Sequence, residues 1–162
     1  MNIRQPQRRK VYLEIFCLAM VLCFSAAVVR SSQDPWTDAQ TVRAADFARE
    51  LQQEKDPYPT VIYVGVKVLY EGAHIPGAVF YGPGSLEQGL SELKKFAATL
   101  PKNSNVVLYC GCCPLEKCPN LRPAFSALKE IGFARLRVLI LPTSFNADWV
   151  EKALPVHEGA KP

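Results

Sequence analysis

The sequence predicts an α/β domain with a central, mostly parallel sheet and helices on both of its faces. Three observations predict it. Short apolar runs rich in β-branched residues recur along the chain: Thr60 to Val64, Asn105 to Tyr109 and Leu136 to Leu141. Between them lie amphipathic stretches of ten or more residues, the length that a crossover between parallel strands requires. Of the 162 residues, 49% are apolar and 21% charged, enough to fill one sizeable core in a single domain.

The elements follow in order. Thr37 or Asp38 can cap a helix running to about Gln53, since Val42, Ala45, Phe47, Ala48 and Leu51 form a helical apolar stripe. Lys55-Asp56-Pro57-Tyr58-Pro59 ends it, and Thr60 to Val64 reads as a buried strand. Gly72 to Ala78 is rich in turn formers, and Val79-Phe80-Tyr81 is a short strand. Ser85-Leu86-Glu87-Gln88 has capping-box spacing; Leu90, Leu93, Phe96, Ala97 and Leu100 continue a helix that Pro101 stops. The strand at 105–109 runs straight into a cysteine-rich loop. Ala124 to Ile131 is a helix closed by Gly132, Leu136 to Leu141 a strand, and Ser144 to Ala153 a last amphipathic helix with Trp149 as a core residue. No repeat with a period of 20–50 residues is present, which excludes a solenoid.

Charge is concentrated at the amino terminus. The formal net charge is +4, but Arg4, Arg8, Arg9, Lys10 and Glu14 lie in the first fourteen residues, and the rest holds fifteen basic against fourteen acidic residues. A nearly neutral body lacks the basic face that nucleic-acid binding needs. Residues 15–29 carry no charge, and Ser25-Ala26-Ala27 offers small residues where a signal peptidase reads. Residues 1–27 are therefore expected to be a signal peptide cleaved after Ala27, with an uncleaved anchor over 11–29 as the alternative. Leu22 before Cys23 argues against a lipoprotein signal. The body is then exported, to a periplasmic or extracellular location, with membrane contact only through an uncleaved segment. Residues 28–39 read as a linker, 40–156 as the domain and 157–162 as a polar tail containing a solvated His157.

Cys17 and Cys23 belong to the hydrophobic segment, and the other four cysteines, Cys110, Cys112, Cys113 and Cys118, fall within nine residues. A disulfide framework ties distant parts of a chain together, so a cluster in one loop reads as local chemistry. Cys110 sits where the reactive loop of a parallel sheet lies, at the carboxyl end of a strand. The loop amides and the following helix amino terminus stabilise a thiolate there, or a persulfide or small anion, and Arg122 adds a fixed positive charge. Gly111, Cys112, Cys113 and Arg122 are the expected anion- or persulfide-binding residues. Cys118 is a rival nucleophile because it lies near the helix start, but it lacks the strand-end position.

Tyr70-Glu71-Gly72-Ala73-His74-Ile75-Pro76-Gly77-Ala78, Val106 to Cys110, Arg122 to Phe133, and Val138 through Trp149 to Val156 together resemble the rhodanese-like family of single-domain sulfurtransferases. The resemblance covers roughly residues 40–156. It implies a three-layer α/β domain in which Cys110 accepts sulfane sulfur from a thiosulfate-like anion and passes it to a thiol or cyanide-like acceptor, without an organic cofactor. It also implies that His74 orders a turn. Three departures stand out: eleven residues separate Cys110 from Arg122, where the family has four or five; Gly65 replaces an acidic residue; and Pro142-Thr143 replaces a double-glycine turn.

Two other chemistries fit the same loop. Cys110, Cys112, Cys113 and Cys118 are close enough in sequence to wrap a soft ion such as zinc or copper, although the spacing is not that of paired C-x₂-C zinc sites. In an oxidising compartment Cys112 or Cys113 can also close a disulfide with Cys118, or act as a resolving thiol toward a persulfide on Cys110. Glu116 and Lys117 are expected to be exposed loop charges.

Overall fold

A computed structural model of the chain describes residues 34–53 and 56–159. The expected signal peptide and the linker up to residue 33 lie outside the described residues. No helix among those described is long and apolar enough to cross a membrane.

Five strands form the central sheet: β1 (Thr41–Arg43), β2 (Thr60–Tyr63), β4 (Val79–Phe80), β5 (Asn105–Tyr109) and β6 (Arg135–Ile140), in the order β1-β6-β5-β2-β4. Every neighbouring pair is parallel. The helices are α1 (Ala44–Gln52), α2 (Lys67–Gly72), α3 (Glu87–Ala98) and α4 (Leu121–Ile131). The alternation of a β-strand divides the core in two. Ile62, Val106, Leu108 and Val138 face α3 and α4, packing on Leu93, Ala97, Phe125 and Leu128. Val61, Tyr63, Val107, Tyr109 and Leu139 face the other way, onto Phe47, Ala48 and Leu51 of α1 and onto Trp149. The predicted three-layer α/β architecture is the observed one.

Local departures from the sequence reading each have a physical cause. The first predicted helix is divided: Asp38–Gln40 is a 3-10 turn, Thr41–Arg43 is strand β1, and only from Ala44 is the chain α-helical. Thr41 and Val42 are β-branched and complete a ladder on the open edge of β6, which outweighs continuing a helix. The packed structure also begins before residue 40, since Trp36 is buried against Phe125 with ring centroids 5.4 Å apart. The expected capping box at Ser85 does not form. Helix α3 starts at Glu87 behind Leu86, and the Ser85 N–H and hydroxyl both donate to Asn120 Oδ1 instead, at 3.1 and 2.8 Å.

Residues 67–72, to which the sequence assigned no element, form α2, and the last helix is a five-residue π turn, Asn146–Val150. Trp149 is fully buried within it, as expected, and donates to Pro155 O at 2.8 Å. His157, placed in the tail, is exposed but ordered in β7 (His157–Glu158), which pairs antiparallel with β3 (Ala73–His74). Gly132 closes α4 with φ +92°, the left-handed cap its position predicted.

Candidate functional site

Because β2 and β5 are adjacent and parallel, the segments leaving their carboxyl ends rise side by side. The Val64 N–H donates to Tyr109 O at 2.9 Å, bringing Gly65 against Cys110. Cys110, the first residue beyond β5, is 2% exposed. From it the chain turns at Gly111, whose φ of +74° is left-handed, and whose carbonyl accepts a 2.9 Å bond from Phe145 N–H. The loop crosses a 3-10 turn, Leu115–Lys117, and enters α4 through Cys118, Pro119 and Asn120.

The fold of this loop gathers sulfur. The Sγ atoms of Cys110, Cys112 and Cys118 all lie within 4.8 Å of one another, with Cys110 and Cys112 3.2 Å apart. Cys113 is outside that converging triad, with its sulfur 3.5 Å from that of Cys112. All four are free thiols. The four-cysteine set considered from sequence is thus three converging sulfurs and one neighbour, because the side chains of adjacent residues leave the backbone in different directions.

The charge in the triad is placed on Cys118. The Cys110 thiol donates toward it, and the Asn120 and Leu121 amides at the amino terminus of α4 point at it, lowering its pKa to about 6 against the opposing effect of burial. Cys110 is held protonated, first by that bond to Cys118 and second by burial, although the Cys112 amide favours its thiolate. Burial and the neighbouring Cys112 sulfur push Cys113 up to about 12. Of the two candidate nucleophiles, Cys110 is thus favoured as the thiol and Cys118 as the thiolate.

Two residues of the site, Asn120 and Tyr63, escaped the sequence reading, and Gly65 was noted there only as a departure from the family pattern. Asn120, 3% exposed, donates through Nδ2 to both Cys110 and Cys112 sulfurs at 3.6 Å, while its Oδ1 is occupied by Ser85. Its only signal in the sequence was a polar residue at a helix start, which reads as an ordinary cap. Tyr63 is buried, yet its hydroxyl has no hydrogen-bond partner. Burial raises its pKa, and the neighbouring Cys110 and Cys112 side chains raise it further. A side chain on Gly65 would begin 2.4 Å from that hydroxyl and 3.0 Å from Cys110 Sγ. The glycine in place of an acid is thus the residue that leaves room for tyrosine and thiol together.

Arg122 is employed differently from the anion contact expected of it. Its Nη1 donates to Leu115 O and Cys118 O at 3.2 and 3.1 Å, its Nη2 pairs with Asp34 at 2.7 Å, and its guanidinium lies 5.7 Å from the Trp36 ring centroid. It clamps the loop from behind, and a carboxylate already meets its charge. His74 orders a turn, as the resemblance implied: Nδ1 bonds Tyr70 O at 2.7 Å and the ring stacks on Tyr70 at 4.0 Å. Glu116 and Lys117 are exposed.

Beside the triad opens a cleft of about 410 Å³, lined by Tyr63, Val68, Leu69, Gly111, Cys112 and Phe145 among others. Of the four loop thiols, Cys112 is the one in its wall. No charged side chain among the described residues lines it.

Solved structures share this arrangement of sheet and helices. The rhodanese-like domain of the Alr3790 protein of Anabaena sp. superposes with a TM-score of 0.53 at 20% identity, over 74% of this chain and 79% of that one. The fold is that of a rhodanese-like domain. The BH2092 protein of Bacillus halodurans matches at TM-score 0.57 and 19% identity, covering 73% of this chain and 76% of that one. A full-length protein of Lactobacillus plantarum matches at 0.52 and 15%, covering 74% and 88%. No protein-family model and no curated protein matches the sequence. In this chain the sulfur cluster lies at the carboxyl end of the central strand β5.

Proposed function

We propose that this chain is an exported rhodanese-like sulfurtransferase that carries sulfane sulfur as a persulfide on Cys110. One observation carries the reading: a buried thiol at the carboxyl end of a central strand, its sulfur within 4.8 Å of that of Cys118, which lies at the amino terminus of α4. Export rests on the composition of residues 1–27 and the apolar run that follows the basic residues.

Cys118 takes up the Cys110 proton as the Cys110 sulfur attacks the outer sulfur of a thiosulfate-like donor, so that no free Cys110 thiolate has to form first. A sulfur–sulfur bond forms at Cys110, and sulfite leaves with the electron pair of the bond that breaks. The persulfide is received by the Cys112 amide and the Asn120 side-chain amide, which already point at Cys110. A thiophilic acceptor such as a thiol or cyanide then attacks the outer sulfur, and the electron pair returns to Cys110. Arg122, engaged by Asp34 and two carbonyls, contributes by fixing the loop. The test is the rate of thiocyanate formation from thiosulfate and cyanide. Cys110→Ser is expected to abolish it, and Cys118→Ser to slow it and move its pH optimum upward. Equal abolition by Cys118→Ser with full activity in Cys110→Ser would make Cys118 the carrier.

A further inference from the structure

Beyond sulfur transfer, we propose that Cys110, Cys112 and Cys118 form a binding site for one Cu(I) ion. The three sulfurs lie within 4.8 Å of one another on a rigid base, one from a strand end, one from a left-handed turn and one from a helix entrance. Metal–sulfur bonds of about 2.3 Å put the sulfurs of a trigonal site about 4 Å apart. The 3.2 Å between Cys110 and Cys112 opens to that distance with a side-chain rotation.

The chemistry of the donors selects the ion. Thiolates favour soft ions, which leaves Cu(I) and zinc as the common candidates. Protein zinc sites of the structural kind are four-coordinate, and the fourth thiol, Cys113, lies outside the converging set. Two polar groups with hydrogens to give lie in the neighbourhood of the sulfurs. Asn120 Nδ2 reaches two of them, oriented by the bonds from Ser85 to its oxygen. The Tyr63 hydroxyl is buried, unpartnered, and with Cys110 Sγ lies within 3.0 Å of the point where a Gly65 side chain would start. Such outer hydrogen bonds stabilise ligating thiolates in a buried site. Each thiol that ligates releases its proton to solvent through the cleft in which Cys112 lies. An ion held by Cys110 draws electron density from that sulfur and occupies the space of an attacking donor, so the copper-loaded and persulfide-loaded proteins are exclusive states.

The test is a titration of the reduced full-length chain, carrying Cys17→Ser and Cys23→Ser so that only the loop thiols remain, with Cu(I) against a chromogenic Cu(I) chelator. Expected are one ion per chain, loss of that stoichiometry in Cys112→Ser, and affinity about 10–100-fold weaker in Asn120→Ala. Copper-edge X-ray absorption of the loaded protein should show three sulfur neighbours, a readout that does not depend on any variant folding. Failure to retain Cu(I), undiminished binding in Cys112→Ser, a four-sulfur shell, or tighter retention of Zn²⁺ tested alone would overturn the proposal. No sulfur donor enters the titration, so its failure and the failure of sulfur transfer are read separately.

Discussion

Gly111 shows how one backbone angle sets the site. At φ +74° it turns the chain from β5 so that Cys112 swings back to within 3.2 Å of Cys110. An added Cβ would lie 2.6 Å from Phe145 Cβ and 2.8 Å from its nitrogen, so a side chain is opposed by both conformation and space. Gly111→Ala is expected to destabilise the domain by about 1–3 kcal/mol, read as a lower denaturant midpoint with unchanged slope. The Cys118 thiolate carries a pH signature of its own. Cys118 is depressed to about 6, so its thiolate is present at neutral pH and is lost as pH falls through that value. Ultraviolet thiolate absorbance should titrate with a midpoint near 6 in the wild type, lose that step in Cys118→Ser, and shift upward in Cys110→Ser, where a weaker donor faces the thiolate.

Among the elements, those whose partners are near in sequence were legible and those decided by distant partners were not. The strand leading to Cys110 could be read because four consecutive apolar or β-forming residues, Val106 to Tyr109, end at a loop with glycine and proline. The α4 cap could be read because glycine tolerates the angle at Gly132. Strand β1 could not, since its register depends on β6, about a hundred residues later. Nor could the fate of Ser85, whose partner Asn120 is 35 residues away and whose local pattern is that of a helix cap. The candidate site divides in the same way. Cys110 and its neighbours announced themselves by spacing, whereas Tyr63, Gly65 and Asn120 enter only because parallel pairing of β2 and β5 and the start of α4 bring them to the same sulfurs. The role of Arg122 depended likewise on Asp34 and Trp36, residues that read as linker.

Among the described residues the domain is held by two apolar layers on one parallel sheet, with a polar cluster tying α1 to the sheet. Arg137 of β6 donates to both oxygens of Glu50 at 2.9 and 2.6 Å, and Asn105 of β5 bonds to both partners. The Arg137 hydrogen bonds hold the Glu50 carboxyl below its ordinary range, against the effect of burial. A depressed carboxylate contributes stability that is present above its unfolded pKa and lost as pH falls through the folded one. The urea midpoint is therefore expected to fall as pH drops below the ordinary glutamate range, and Glu50→Gln should flatten part of that acid limb while lowering the midpoint at neutral pH. A midpoint with the same acid dependence in both proteins would place the linkage elsewhere.

The central claim is that Cys110 carries sulfur, and the most direct measurement is the intact mass of the purified chain after thiosulfate and again after cyanide, with the modified residue mapped by fragmentation. The expected result is a gain of one sulfur atom on Cys110, removed by cyanide and absent in Cys110→Ser. A chain that gains no labile sulfur, or that gains it on Cys118 and keeps it in Cys110→Ser, would contradict the claim.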